Sequence, residues 1–201
     1  MKVLMINGCV RGNESRSWAL AKAFLDEMRK NAPKDMEYTQ LDLASMDLKP
    51  LVGSIFEERQ KLLEEGNREH PRFSYAHQFA EADHILIAAP FWDLSIPAIL
   101  KLYIENIALD GITFGCNEQG MYGMCNAKEL LFFTTRGGVY KNSPLELGAR
   151  YLEALCEMFG IPQFRCICAE GIDSIPGEAE AIFKNALEEA KTAGLNYWED
   201  V

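Results

Sequence analysis

Two hydrophobic runs constrain the fold of this chain more than anything else in it. One, Ile85-Leu86-Ile87-Ala88-Ala89, breaks into Pro90-Phe91-Trp92-Asp93-Leu94-Ser95; the other, Leu131-Phe132-Phe133-Thr134, breaks into Thr135-Arg136-Gly137-Gly138-Val139-Tyr140. Each reads as a short strand that ends in a loop suited to a flat, partly polar ligand. Such loops gather at one edge of a parallel sheet.

The rest of the sequence supplies that sheet. Lys2 to Asn7 is a first strand, and Trp18, Ala21, Leu25 and Met28 keep to one side of a helix from about Ser17 to Lys30. Glu37 to Leu43 is a second strand. Two helical pieces follow, Ile55 to Glu65 and Phe73 to Ala82, separated by Gly66-Asn67 and His70-Pro71. A third strand from His84 to Ala89 precedes a helix that begins at Pro97, a favoured first position, and stops near Leu109 before Asp110-Gly111. The fourth strand is Glu129 to Thr134. The helix after it is expected from Pro144 to Gly160, with Glu146, Arg150, Glu153 and Glu157 as its solvated stripe and Gly160 as its C-cap. Phe164 to Ala169 is a fifth strand, and the last helix runs from about Gly177 to Ala193.

Alternating strands and helices imply a parallel sheet with helices on both faces, because right-handed crossovers place them there. The expectation is a doubly wound α/β fold of five strands in the flavodoxin-like order 2-1-3-4-5, with ligands beyond the carboxyl ends near the reversal of strand order. With 201 residues and 48% hydrophobic content, residues 1–201 are expected to form one domain. A net charge of −10 argues against nucleic acid or anionic lipid as partners. No run nears the roughly 20 apolar residues of a membrane span, and no targeting segment is evident, so a cytoplasmic protein is expected. The six cysteines show no metal-ligand spacing, and Cys166 and Cys168 read as packing residues. The three histidines, His70, His77 and His84, are assigned to surface or capping positions.

The first loop, Gly8-Cys9-Val10-Arg11-Gly12-Asn13-Glu14-Ser15-Arg16-Ser17, lacks the glycine spacing of a dinucleotide site and the lysine of a P-loop. It offers hydroxyls, backbone N–H groups and the arginines Arg11 and Arg16 at a helix N-terminus, a setting that favours a terminal phosphate monoester. A serine that merely caps the helix and two solvated arginines explain the same residues equally well. In the second loop Trp92 and Leu94 could cover an isoalloxazine ring, with Phe91 at the strand end, where it could equally be core. In the third, the N–H groups of Thr135-Arg136-Gly137-Gly138 could face the polar edge of that ring.

Taken together, Ala88-Ala89-Pro90-Phe91-Trp92-Asp93, Pro97-Ala98-Ile99-Leu100-Lys101-Leu102-Tyr103-Ile104, Gly111-Ile112-Thr113-Phe114 and Thr135-Arg136-Gly137-Gly138 resemble the FMN-dependent NAD(P)H azoreductases and quinone reductases. The resemblance covers nearly the whole chain. It implies that Cys9, Ser15, Arg16 and Ser17 hold the FMN phosphate, while Phe91 to Leu94 and Thr135 to Gly138 line the ring. Three positions depart from the family pattern: Cys9 stands where serine is common, Asp93 where asparagine is frequent, and Cys116 near a place that often carries an aromatic.

The activity implied is ping-pong transfer of two electrons from NADH or NADPH to a quinone, an azo compound or another electron-poor aromatic. No obligatory catalytic acid or base is expected; Tyr140, Arg136 and Asp93 are the polar candidates for assisting the acceptor. The competing expectations are a flavodoxin-type electron carrier and a non-catalytic binding protein on the same scaffold. Between Ala98 and Leu109 only Lys101, Glu105 and Asn106 are polar, which implies a homodimer across this helix. The Phe114 to Met124 loop, with Phe114, Cys116 and Tyr122, would complete the acceptor pocket across the interface.

Overall fold

The computed structural model describes residues 1–199. Its elements are β1 (Lys2–Asn7), α1 (Arg16–Met28), β2 (Glu37–Asp42), α2 (Gly53–Glu64), α3 (Ser74–Glu81), β3 (His84–Ala88) and α4 (Ala98–Ile107). There follow β4 (Phe114–Asn117), β5 (Gly120–Gly123), β6 (Glu129–Thr135), α5 (Gly148–Phe159), β7 (Gln163–Ala169) and α6 (Ala179–Leu195). Five strands form a parallel sheet in the order β2-β1-β3-β6-β7, which is the expected 2-1-3-4-5 pattern once the hairpin strands are set aside.

Strand alternation divides the core into two. Leu4 and Ile6 of β1, Ile85 and Ile87 of β3, and Leu130 and Phe132 of β6 join one cluster with side chains of α3, α4 and α5. The intervening Val3, Met5, Leu86, Leu131 and Phe133 point the other way, into a second cluster with α1 and α6. Both faces of the central strands are therefore apolar, as a sheet covered on both sides requires. Of the expected face of α1, Ala21, Leu25 and Met28 are buried and Trp18 partly so, and Leu20 and Phe24 widen it.

Four expectations change. The helix assigned from Pro144 begins only at Gly148, and Glu146 is not solvated: its carboxylate accepts the N–H groups of Ala149 and Arg150 and pairs with Arg136. The loop from Phe114 contains an antiparallel hairpin, β4–β5. A side chain at Gly123 would overlap the backbone of Gly160, which caps α5 at φ +77, so two glycines let the hairpin lie against the helix end. His84 is fully buried, its Nδ1 2.9 Å from the Tyr197 hydroxyl. Finally, much of the apolar surface of α4 is covered within the chain. Leu100, Tyr103, Ile104 and Ile107 are in the core, Met46, Leu48, Leu62 and Leu63 pack against the same cluster, and Asn106 donates to the carbonyl of Lys49. Sequence periodicity could not show the excursion from residue 43 to residue 64 folding back over that helix.

Candidate functional site

The carboxyl ends of β1, β3, β6 and β7 open into four loops that enclose a cleft of about 220 Å³. The first loop contributes Val10, Arg11, Ser15, Arg16 and Ser17, the second Pro90, Phe91 and Trp92, the third Thr135, Arg136 and Gly137, and the fourth Ile172 and Asp173. Ser15 caps α1: its hydroxyl oxygen accepts the N–H of Trp18 at 3.3 Å, and the same hydroxyl meets the Cys9 thiol. Ser17 is fully buried, and its hydroxyl meets that of Thr135 at 2.9 Å, joining the first loop to the third.

Backbone donors on two of the loops around the cleft lack protein acceptors. Among the described residues the N–H groups of Arg16 and Ser17, in the first turn of α1, find no partner, and neither do those of Gly137 and Gly138. Unpaired donors in a helix's first turn, with the dipole behind them, attract an anion. The pair at the glycine turn suits a ligand edge that carries carbonyl oxygens.

The Pro90–Ser95 loop is a tight reversal. Trp92 and Ser95 exchange both backbone hydrogen bonds at 3.0 and 2.8 Å, and Asp93 and Leu94 take φ of +49° and +66°. Positive φ at both central positions is a type I′ turn, for which Asn-Gly is the favoured pair. A leucine there is strained. The turn leaves Trp92 44% exposed on the rim of the cleft. A half-exposed indole at the mouth of a binding cleft is available to cover a flat ligand.

Arg136 is 5% exposed and its charge is used inside the protein. Nη1 lies 2.7 Å from Glu170 and Nη2 2.9 Å from Glu146, and the guanidinium sits 5.1 Å from the centre of the Phe91 ring. Phe91 in turn stacks on Tyr140 at 4.8 Å, and the N–H of Tyr140 donates to Glu170. Arg136 thus fixes the loop from residue 136 to residue 147 to the end of β7. Its side chain holds the cleft wall, and the N–H groups of Gly137 and Gly138 beside it have no protein acceptor.

Other expected site residues play different parts. Cys9 is 2% exposed in the core beside α1, with burial pushing its thiol up to about 11 and its N–H bound to Asn7 Oδ1. Its thiol packs beside the Ser15 hydroxyl and the Trp18 N–H at the start of α1. Arg11 is turned toward solvent, 3.4 Å from Glu14. Phe114, Cys116 and Tyr122 are on the β4–β5 hairpin, which follows the far end of α4 and precedes the start of β6, at the opposite end of the sheet from their own chain's cleft. The structure also supplies residues that sequence reasoning overlooked. Ile172 and Asp173 come from the loop after β7, and the position of that loop past a fifth strand end was itself the signal. Glu146 and Glu170, the partners of Arg136, carried no local signal because pairing across ten and thirty-four residues follows no helical or strand period.

Comparison with known proteins agrees with this geometry. A family model described as the flavodoxin-like fold matches residues 1–193. The FMN-dependent NADH:quinone oxidoreductase 2 of Clostridium acetobutylicum is 39% identical over 180 residues, 88% of this chain and 89% of its own length. The FMN-dependent NADH:quinone oxidoreductase of Clostridium beijerinckii is 36% identical over 197 residues, 98% of this chain and 99% of its own. Among solved structures, the azoreductase of Bacillus anthracis strain Sterne superposes with a TM-score of 0.86 at 28% identity, over 98% of this chain and 99% of that one. The alternation of strands and helices, the four-loop cleft and these relatives agree: the chain belongs to the flavodoxin-like fold family, with the FMN-dependent NADH:quinone oxidoreductases as its relatives.

Proposed function

We propose that this protein is an FMN-dependent NADH:acceptor oxidoreductase that reduces quinones, azo compounds or related electron-poor aromatics by two electrons in ping-pong fashion. One observation carries the reading: two loops of a single cleft present unpaired backbone donors, Arg16 and Ser17 on the first and the Gly137-Gly138 turn on the third, with Trp92 on its rim. The relatives named above as FMN-dependent NADH:quinone oxidoreductases support the choice of cofactor, donor and acceptor.

The residues present fit FMN. The N–H groups of Arg16 and Ser17, the Ser15 hydroxyl and the Arg16 guanidinium would hold the phosphate. Gly137 and Gly138 would donate to the pyrimidine edge of the ring, where added negative charge is stabilised by such donors. Trp92, Asp93 and Leu94 would lie against the ring from the type I′ turn, with Pro90 and Phe91 behind them. FMN bound there supplies the redox chemistry, accepting hydride from NADH and passing two electrons to the acceptor. The chain positions, covers and tunes. Tyr140 is held by its ring contact with Phe91 and its N–H bond to Glu170, so its part is structural support of the wall.

A homodimer belongs to the same proposal. The cleft of one chain, about 220 Å³, is smaller than the roughly 300–1,000 Å³ of typical ligand pockets. The hairpin that points away from its own cleft exposes Met121, Tyr122 and Met124, side chains suited to completing a partner's acceptor pocket. We also place the protein in the cytoplasm, as one domain spanning residues 1–201. All six cysteines are free, in keeping with a reducing compartment, and no helix among the described residues is long and apolar enough to cross a membrane.

The test is anaerobic stopped-flow reduction of FMN-reconstituted protein by NADH, followed by mixing with a benzoquinone or an azo dye. Rapid two-electron bleaching by NADH and return of colour with either acceptor is the expected result. Accumulation of a one-electron form with slow hydride uptake would replace the enzyme by an electron carrier. Absence of flavin uptake would remove both.

A further inference from the structure

The fourth loop brings a largely exposed acid to the cleft, between Arg16 and the glycine turn. The N–H of Ile172 donates to the carbonyl of Arg136 at 3.3 Å, and that of Asp173 to the carbonyl of Gly137 at 3.0 Å, so Asp173 is tied by its backbone to the glycine turn. Its Oδ1 lies 3.6 Å from Arg16 Nη1, across the cleft. Its Oδ2 packs so closely on Gly137 that a Cβ there would sit 2.7 Å away. A glycine at position 137 therefore makes room for this carboxylate as well as for a ligand.

We propose that Asp173 is an internal competitor of the FMN phosphate: its carboxylate engages Arg16 until a phosphate monoester displaces it, and in the bound state it opposes the phosphate charge. This rests on the FMN reading above and adds to it a residue that selects how firmly the phosphate end is held. Two anions that share one guanidinium cannot both be fully paired, and like charges a few ångströms apart repel even through water. The device acts on the phosphate charge, the part of the cofactor that riboflavin lacks. Asp173 could instead accept hydrogen bonds from the ribityl hydroxyls; the carboxylate would then strengthen binding of phosphorylated and unphosphorylated flavin alike.

Fluorescence titration of the apoprotein with FMN and with riboflavin separates these roles, using wild type, Asp173→Asn, and both forms in an Arg16→Gln background. Circular dichroism and the thermal midpoint verify that each variant folds. The expected result is that Asp173→Asn binds FMN about three- to tenfold more tightly while its riboflavin Kd stays within about twofold. The gain should shrink when Arg16 is Gln. Unchanged or weaker FMN binding by Asp173→Asn, a parallel change for riboflavin, or a full gain persisting without Arg16 would each overturn the proposal. Wild-type protein that takes up neither flavin would sink the functional reading itself, a different outcome from FMN binding that ignores Asp173.

Discussion

Single residues in this protein do work that their sequence neighbours do not announce. Leu94 occupies a turn position where glycine is the relaxed choice, at φ +66°, and local rules broken in this way cluster at functional sites. Leu94→Gly is expected to raise or preserve the thermal midpoint, because about 1 kcal/mol of backbone strain is released. FMN affinity measured by fluorescence should fall by about threefold or more. Its neighbour Asp93 is exposed and, when ionised, can only accept hydrogen bonds. A carboxylate beside the ring disfavours added negative charge, so Asp93→Asn should raise the flavin midpoint potential; an unchanged potential would place that carboxylate away from the ring. Burial, with help from the charge of Lys128, holds the His84 imidazole below its ordinary range. The unfolded chain then binds the extra proton first as pH falls, so stability should drop below about pH 6.5, where the unfolded histidine titrates. Urea unfolding at pH 7.5 and 5.5 should show this loss in wild type and a smaller one in His84→Asn.

At the scale of elements, the cleft depends on segments being clamped to one another. Arg136 joins the end of β6 to Glu170 after β7 and to Glu146 before α5, with all three side chains largely out of water. Removing one partner of a buried ion pair leaves the other charge without compensation, so Glu146→Ala is expected to cost about 3 kcal/mol in urea unfolding. The same change exposes the N–H groups of Ala149 and Arg150 that Glu146 caps. The hairpin and α5 meet through Gly123 and Gly160. Gly123→Ala should force them apart, lowering stability by about 1–3 kcal/mol through overpacking. If the hairpin completes a partner's site, it should also weaken dimerisation in sedimentation velocity while leaving the sheet's far-UV signature intact.

For the whole molecule, the acidic surface and the two apolar faces of the sheet are what its composition and strand periods demand. Sheet order and the covering of both faces by helices were legible because period, strand length and crossover handedness act locally and repeat along the chain. The unpaired donors at the start of α1 were legible too, since Ser15 and Ser17 stand at the start of an amphipathic helix whose first N–H groups have no intrahelical acceptor. Tertiary structure alone decided that Cys9 is core, that Glu146 turns inward to Arg136, that α4 spends its apolar surface on residues 46 to 63, and that Asp173 faces Arg16. Each of those outcomes is a meeting of groups distant along the chain, where burial and charge pairing act through space. Sequence could determine which segments fold and how they alternate; which side chains share a few ångströms at the cleft was settled only when the loops of four strands came together.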